Sequence, residues 1–305
     1  MQRAIVTGAD GFLGRHLVHT LERRGVVVTA LTRRPRPGAI CLPMGDAATS
    51  AARLADIVKV ADPDTVFQLV GRSTGSDTEL ERANVGVTID LMLALRDAGA
   101  CPLLVCCGSA AEYGAAIADG VPVAEDAVCA PQSRYGASKL AQTSAVLARS
   151  EALDIPVVVA RIFNAIGPGM PSHLALGDFA GQISRLPLAG VLKTGNLEVR
   201  RDFVDVEHVA DALCKLAVTP AARGIVNVCS GQGTPLANLV QRLVELSGKR
   251  VTVEPEAARF RVGELGTVVG STARLEALGA GLPATNHAEV MARIWRHATA
   301  GGSLA

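Results

Sequence analysis

Runs of β-branched residues alternate with longer Ala- and Leu-rich stretches through the first half of this 305-residue chain. That alternation predicts an α/β fold, a doubly wound parallel sheet made of βαβ units. Two further observations agree. Hydrophobic residues make up 49% and aromatics only 3%, so the core must be built from Ala, Val, Leu and Ile, as under a helix-covered sheet. The first β-branched run also leads directly into a glycine-rich turn and an amphipathic stretch, the opening of a doubly wound sheet.

Taken in order, the expected strands cover 3–7, 26–31, 65–69, 103–107 and 155–160. Helices are expected between them at 12–24, 50–60, 80–98 and 135–152, each with apolar residues at three- and four-residue spacing. After Asn164-Ala165-Ile166-Gly167-Pro168-Gly169 the loops lengthen and the regular period ends. A dinucleotide-binding domain is therefore expected over 1–164, with a second, smaller α/β domain over 165–305, interleaved with the first. The second domain should hold helices at 179–186, 206–217, 235–247 and 287–298 and strands near 225–229 and 250–254. The Gly301-Gly302-Ser303 tail should fray.

Composition excludes several classes of function. Lys plus Arg number 30 against 29 for Asp plus Glu, a net charge of +1 that offers no field for a polyanion, so nucleic acid is not expected as a partner. No apolar run reaches the 18 or so residues needed to span a bilayer, and no membrane association is expected. Folded structure starts at Arg3 rather than after a signal peptide, which predicts a cytoplasmic protein. Seven cysteines, odd in number and without a C-x-x-C pair, are expected as reduced core residues, and no metal site is expected.

The loop Thr7-Gly8-Ala9-Asp10-Gly11-Phe12-Leu13-Gly14 lies between the first strand and the first helix. Gly8, Gly11 and Gly14 permit a tight turn and a close approach to a pyrophosphate, and the amides around Phe12 and Leu13 at the helix start can hold its oxygens. Strand, loop and helix in this order make the sheet a Rossmann one and predict a bound dinucleotide. Where such units usually carry an acidic ribose ligand, this chain has Arg33 and Arg34. A guanidinium pair suits a ribose 2′-phosphate, so NADP (as NADPH) is expected, with NAD as the second choice and a solvated basic turn as the competing explanation. Asp46 is either a contact at the adenine edge or an ordinary turn residue.

Only two tyrosines occur, and one of them, Tyr135, precedes Lys139 by four residues on an expected helix, so both share one face. A phenol ionises near pH 10, about three pH units too high for work at neutrality, a gap of about 4 kcal/mol that a neighbouring ammonium helps to close. Ser109, in the glycine-rich loop after the 103–107 strand, sits at the carboxyl edge of the sheet, where it can hold a substrate oxygen.

With these residues in view, the sequence resembles the extended short-chain dehydrogenase/reductase family, the nucleotide-sugar epimerases, dehydratases and reductases. The resemblance spans essentially the whole chain. It is carried by Gly108-Ser109-Ala110-Ala111-Glu112-Tyr113-Gly114, Ser133-Arg134-Tyr135-Gly136-Ala137-Ser138-Lys139 and Phe163-Asn164-Ala165-Ile166-Gly167-Pro168-Gly169. Gly195-Asn196-Leu197-Glu198, Arg201-Asp202-Phe203-Val204-Asp205-Val206 and Asn227-Val228-Cys229-Ser230-Gly231 add to it. Within the family the chain looks most like the GDP-4-keto-6-deoxy-mannose reductases.

The resemblance implies Ser109, Tyr135 and Lys139 as catalytic residues, the last two also at the nicotinamide ribose. It implies that Glu112, Asn164, Arg201 and Arg261 join Ser109 on the nucleotide-sugar side. Arginines there suit a diphosphate, with surface salt bridges as the competing explanation. The implied activity is NADPH-dependent reduction of a nucleotide-linked 4-keto-6-deoxy sugar. The alternatives are an epimerase that retains NAD and a dinucleotide-sensing protein without turnover. A homodimer through the helices at 80–98 and 135–152 is also implied, although burial in the monomer core explains the same Ala-rich faces.

Three departures stand out. Ala110-Ala111 occupy the place of the Asp-Glu pair that dehydratases of the family use, and alanine cannot act as acid or base. The stretch 71–77, expected to line the sugar site, is short. Arg134 stands where Pro commonly precedes the tyrosine.

Overall fold

The computed structural model describes residues 1–42, 47–260 and 265–300, so the expectations for Asp46, Arg261 and the 301–303 tail lie outside the described residues. Strand β1 (Arg3–Thr7) leads into helix α1 (Phe12–Arg23), then β2 (Val27–Thr32), the two-residue β3 (Ile40–Cys41), α2 (Ala47–Ala61) and β4 (Thr65–Gln68). A short α3 (Asp77–Glu81) continues through a π-helical turn at Arg82–Gly86 into α4 (Val87–Asp97). Then come β5 (Leu103–Ser109), α5 (Arg134–Leu153), β6 (Val157–Ile162), β7 (Asn164–Ile166) and α6 (Ala175–Arg185). They are followed by β8 (Ala189–Thr194), β9 (Arg200–Asp205), α7 (Val206–Val218), β10 (Gly224–Val228) and β11 (Gly233–Pro235). The chain ends with α8 (Leu236–Ser247), β12 (Arg250–Pro255), β13 (Thr267–Val268), α9 (Ala273–Ala277) and α10 (His287–Thr299).

Seven strands form the central sheet in the order β10-β6-β5-β4-β1-β2-β3, and every neighbouring pair is parallel. Side-chain alternation with period two buries both faces. Ala4, Val6, Phe67, Val105, Val158 and Ala160 enter a core closed by Leu17 and Leu21 of α1 and Val209 and Leu213 of α7. Ile5, Val66, Leu104, Cys106, Val157 and Val159 face the other way, onto Leu54 and Val58 of α2, Leu91 and Leu95 of α4, and Val146 of α5. The expected doubly wound architecture is present, and no helix among the described residues is long and apolar enough to cross a membrane.

From β1 the chain winds outward to β2 and β3, then returns to β4 on the other side of β1. The carboxyl ends of β1 and β4 thus flank a switch point, the crevice where open α/β sheets hold ligands. The second half returns to this sheet through α7 and β10, which pairs with β6. Its other elements build a separate apolar cluster of Phe179, Ile183, Leu192, Leu239, Leu243, Met291 and Ile294, around α6, α8 and α10. Two small strand groups accompany it, β11-β9-β13 with β7 on β9, and the parallel pair β12-β8. All seven cysteines are free; Cys106, Cys214 and Cys229 are buried, Cys107 and Cys129 pack against the apolar clusters, and Cys41 and the exposed Cys101 are the two that depart from the expected core placement.

Candidate active site

The turn after β1 places Gly8 at φ +64°, and a Cβ there would lie 3.1 Å from the Val70 nitrogen. At Gly14 a Cβ would lie 2.2 Å from the Gly8 carbonyl oxygen, so α1 sits against the loop at a distance only glycine permits. Gly11 is the N-cap of α1 and no side chain caps it, leaving the first-turn amides around Phe12 and Leu13 without a side-chain acceptor. Such a cradle fits a pyrophosphate. Phe12 meets the His16 ring edge-on at 5.8 Å, and Leu13 packs on the core below. His16 and Arg15 tie α1 to the Pro168 and Gly169 carbonyls, at 3.0 and 3.3 Å.

Arg33 and Arg34 follow β2 and are exposed. Their backbone is fixed, because the Thr32 hydroxyl donates to the Arg34 carbonyl at 2.8 Å. Neither guanidinium pairs with a carboxylate among the described residues, so both remain open to an anion.

Ser109 ends β5 at the same sheet edge as the glycine loop. It caps the 3-10 turn Ala110–Glu112: its Oγ accepts from the Ala111 amide at 3.2 Å, and Glu112 Oε1 accepts from the Ser109 amide at 2.8 Å. The first turn of α5, capped by Ser133, presses on this turn so closely that a Cβ on Gly136 would lie 2.3 Å from the Ala111 carbonyl. That contact brings the first turn of α5, which carries Tyr135, against the turn that Ser109 caps. Neither the Tyr135 hydroxyl nor the Ser109 hydroxyl donates to another described residue.

One turn further along α5, Lys139 is 5% exposed, and its Nζ donates to the Cys107 carbonyl and to Gln142 Oε1. Lys139 therefore lies against β5 two residues before Ser109, and Tyr135 stands one turn earlier on the same helix. The structure also reveals polar partners that the sequence analysis passed over: Gln68, Asn84, Thr88 and Gln142 are all buried around Lys139 and the neighbouring loops. Asn84, inside the π-turn, holds the Arg72 amide and donates to Ser138 Oγ, which donates to the Tyr135 carbonyl. The available signal was spacing: Asn84 and Thr88, like Lys139 and Gln142, are polar residues one helical turn apart in otherwise apolar stretches.

Glu112 requires a correction. It was expected to touch substrate, yet it is 0% exposed, and its Oε2 accepts from Thr143 and from Arg161, both at 2.9 Å. With Oε1 on the Ser109 amide, the carboxylate has nothing to offer a ligand and acts on the site only by fixing Ser109. Asn164 Nδ2 donates to the Asp202 carbonyl at 3.1 Å, and Arg201 donates to the Leu265 carbonyl at 3.0 Å. Asp202 is fully buried and gathers the Ser230, Gly231 and Gly270 amides and the Ser230 hydroxyl; burial pushes its carboxyl above the ordinary range. Across the crevice, Ser73 of the short 71–77 stretch lies 2.9 Å from His173 Nε2.

A family model described as the NAD dependent epimerase/dehydratase family matches residues 4–229, from β1 through the end of β10. The chain belongs to this family. It is 31% identical over 282 residues to the GDP-6-deoxy-D-mannose reductase of Pseudomonas aeruginosa, covering 90% of each chain. It is 36% identical over 257 residues to the dTDP-6-deoxy-L-talose 4-dehydrogenase (NAD(P)(+)) of Kitasatospora kifunensis, covering 81% of this chain and 79% of that one. The solved structure of RMD from Pseudomonas aeruginosa complexed with NADPH superposes with a TM-score of 0.81 at 27% identity, over 99% of this chain and 100% of that chain. The expected family and fold are both confirmed, and the chain is a member of an enzyme family whose relatives include nucleotide-sugar reductases, dehydrogenases and epimerases.

Proposed function

We propose that this protein uses NADPH to reduce the 4-keto group of a nucleotide-linked 4-keto-6-deoxy sugar, with GDP-4-keto-6-deoxy-mannose as substrate and GDP-rhamnose or a related 6-deoxyhexose as product. The reading is supported by two hydroxyls that donate to no other described residue, Ser109 at the end of β5 and Tyr135 in the first turn of α5, together with the buried Lys139 against β5, on the sheet edge that also bears the uncapped glycine loop. The relatives named above support the substrate class.

The first-turn amides of α1 would hold the dinucleotide pyrophosphate, and Arg33 and Arg34 a ribose 2′-phosphate. When bound, the dinucleotide supplies the hydride. Ser109 donates its hydroxyl hydrogen to the ketone oxygen and holds it. Tyr135 transfers its phenolic proton to that oxygen as negative charge develops, and Lys139 stabilises the phenolate left behind. The carbonyl carbon gains the hydride and the oxygen gains the proton, giving an alcohol. Ala110 and Ala111 have no acidic or basic group with which to remove water, which separates this site from a dehydratase. On this reading residues 1–164 bind the dinucleotide and much of 165–305 covers the sugar. The active form is proposed to be a cytoplasmic homodimer.

The test is NADPH oxidation with GDP-4-keto-6-deoxy-mannose, beside the dTDP-4-keto-6-deoxy-glucose equivalent and a Tyr135→Phe control. Turnover of the GDP sugar that disappears in the control supports the reading. No NADPH loss with either sugar refutes it and favours an epimerase that retains NAD.

A further inference from the structure

Behind Lys139 lies a chain of buried, neutral hydrogen bonds. The Thr7 hydroxyl, just before the glycine loop, donates to Gln68 Oε1. Gln68 Nε2 donates to Thr88 Oγ1 at 3.0 Å, and Thr88 spends its only hydroxyl hydrogen on the Asn84 carbonyl at 2.9 Å. Thr88 Oγ1 can therefore only accept from its remaining neighbour, and Gln142 Nε2 donates to it at 2.8 Å and to Cys106 Sγ at 3.3 Å. With its nitrogen fixed by two acceptors, the Gln142 amide must turn its oxygen to Lys139. Gln142 is 1% exposed, so that oxygen is held away from bulk solvent.

The ammonium thus rests on two uncharged acceptors, the Cys107 carbonyl and the Gln142 amide. The other groups that could offset its charge do not. The Cys106 and Cys107 thiols on β5 are pushed up to about 12 by burial and stay neutral. Glu112, on the turn after β5, is committed to Arg161. The side chains facing from the π-turn, α4 and β4, Asn84, Thr88 and Gln68, carry no charge, and the titratable residue one turn back on α5 is Tyr135.

We propose that Gln142 is a positioning residue for the reaction: its locked, neutral amide holds Lys139 without cancelling its charge, so that the full positive charge is presented to Tyr135. The inference rests on the proposed roles of Tyr135 and Lys139, but its test needs no substrate. The chain has two tyrosines, and Tyr113, hydrogen-bonded to Asn227, is pushed up to about 12 by burial. The phenolate absorbance that is lost in Tyr135→Phe therefore reports Tyr135.

In Gln142→Glu an anion of the same shape sits against the ammonium, and the Tyr135 absorbance midpoint is expected to rise by about one pH unit or more. Thr88→Val, which releases the amide, should also raise it, and Thr88→Ser should restore it. Where turnover is measured, the pH limb of kcat should move with the midpoint while the KM for the sugar holds. Unchanged midpoints in both Gln142→Glu and Thr88→Val, even with reduced stability, would overturn the proposal. An active enzyme with unchanged midpoints refutes Gln142 alone, whereas a shifted midpoint in a protein that reduces no keto sugar refutes the proposed function alone.

Discussion

The Glu112–Arg161 pair makes the sharpest stability prediction. Glu112 is 0% and Arg161 2% exposed, and their charged atoms meet at 2.9 Å. Glu112→Gln keeps the shape of the side chain and an acceptor for the Ser109 amide, but strips the guanidinium of its counter-charge in a site water does not reach. What remains for Arg161 is the Tyr113 ring, 4.6 Å away, and a long contact of 3.4 Å to the Glu125 carbonyl, neither of which replaces an anion. Removing one partner of a buried pair costs about 3–5 kcal/mol, whereas replacing both by neutral groups is often nearly harmless. Urea unfolding at pH 7 of Glu112→Gln, Arg161→Met and the double variant measures the coupling, expected at roughly 2 kcal/mol or more. Additive costs, or a loss under about 1 kcal/mol in Glu112→Gln, would refute the reasoning.

Three other perturbations test other parts of the structure. Gly14→Ala forces a Cβ to within 2.2 Å of the Gly8 oxygen, so NADPH affinity measured by nucleotide fluorescence should fall at least ~10-fold as the loop and α1 part. On the proposed function, Arg33→Ala and Arg34→Ala each remove a charge-assisted contact to the ribose 2′-phosphate of about 1.5–3 kcal/mol, so the NADPH-over-NADH preference in kcat/KM should drop roughly 10- to 100-fold per substitution. Asp64 is held below its ordinary carboxylate value by the Gln2 and Arg3 amides. Its stabilising contribution is present above the ordinary carboxylate range and is lost as pH falls through the lowered value, so Asp64→Asn should lower thermal stability at pH 7 and flatten its decline on acidification.

Much of the fold could be read from the chain because strand alternation and helical spacing are strong over β1 to β6. The missed elements have physical reasons. β3, β7, β11 and β13 are two or three residues long, too short for any period to show, and β9 opens on Arg200 and Arg201, which conceal its buried Phe203 and Val204. In the site, the glycine loop and the Tyr135–Lys139 spacing were legible because backbone approach and helix register impose them on the sequence. Glu112 was misassigned because its partners, Thr143 and Arg161, lie 31 and 49 residues away, and a sequence does not reveal that a carboxylate in a polar-looking motif faces inward. Gln142 lies one turn from Lys139, but the partners that fix its orientation, Thr88 and Cys106, lie 54 and 36 residues away.

The return of β10 to the central sheet has a consequence for how the protein is born. As β6 leaves the ribosome its outer edge, Val157–Ile162, has no neighbour, and the strand that will cover it starts only at Gly224. At about 5–20 residues per second, synthesis of the intervening stretch takes roughly 3–12 s. During that interval the nascent chain displays an open apolar strand edge, the kind of surface on which neighbouring chains template aggregation. Secure folding of the first half therefore waits on a segment made late, and the yield of active protein depends on what shields that edge in the meantime.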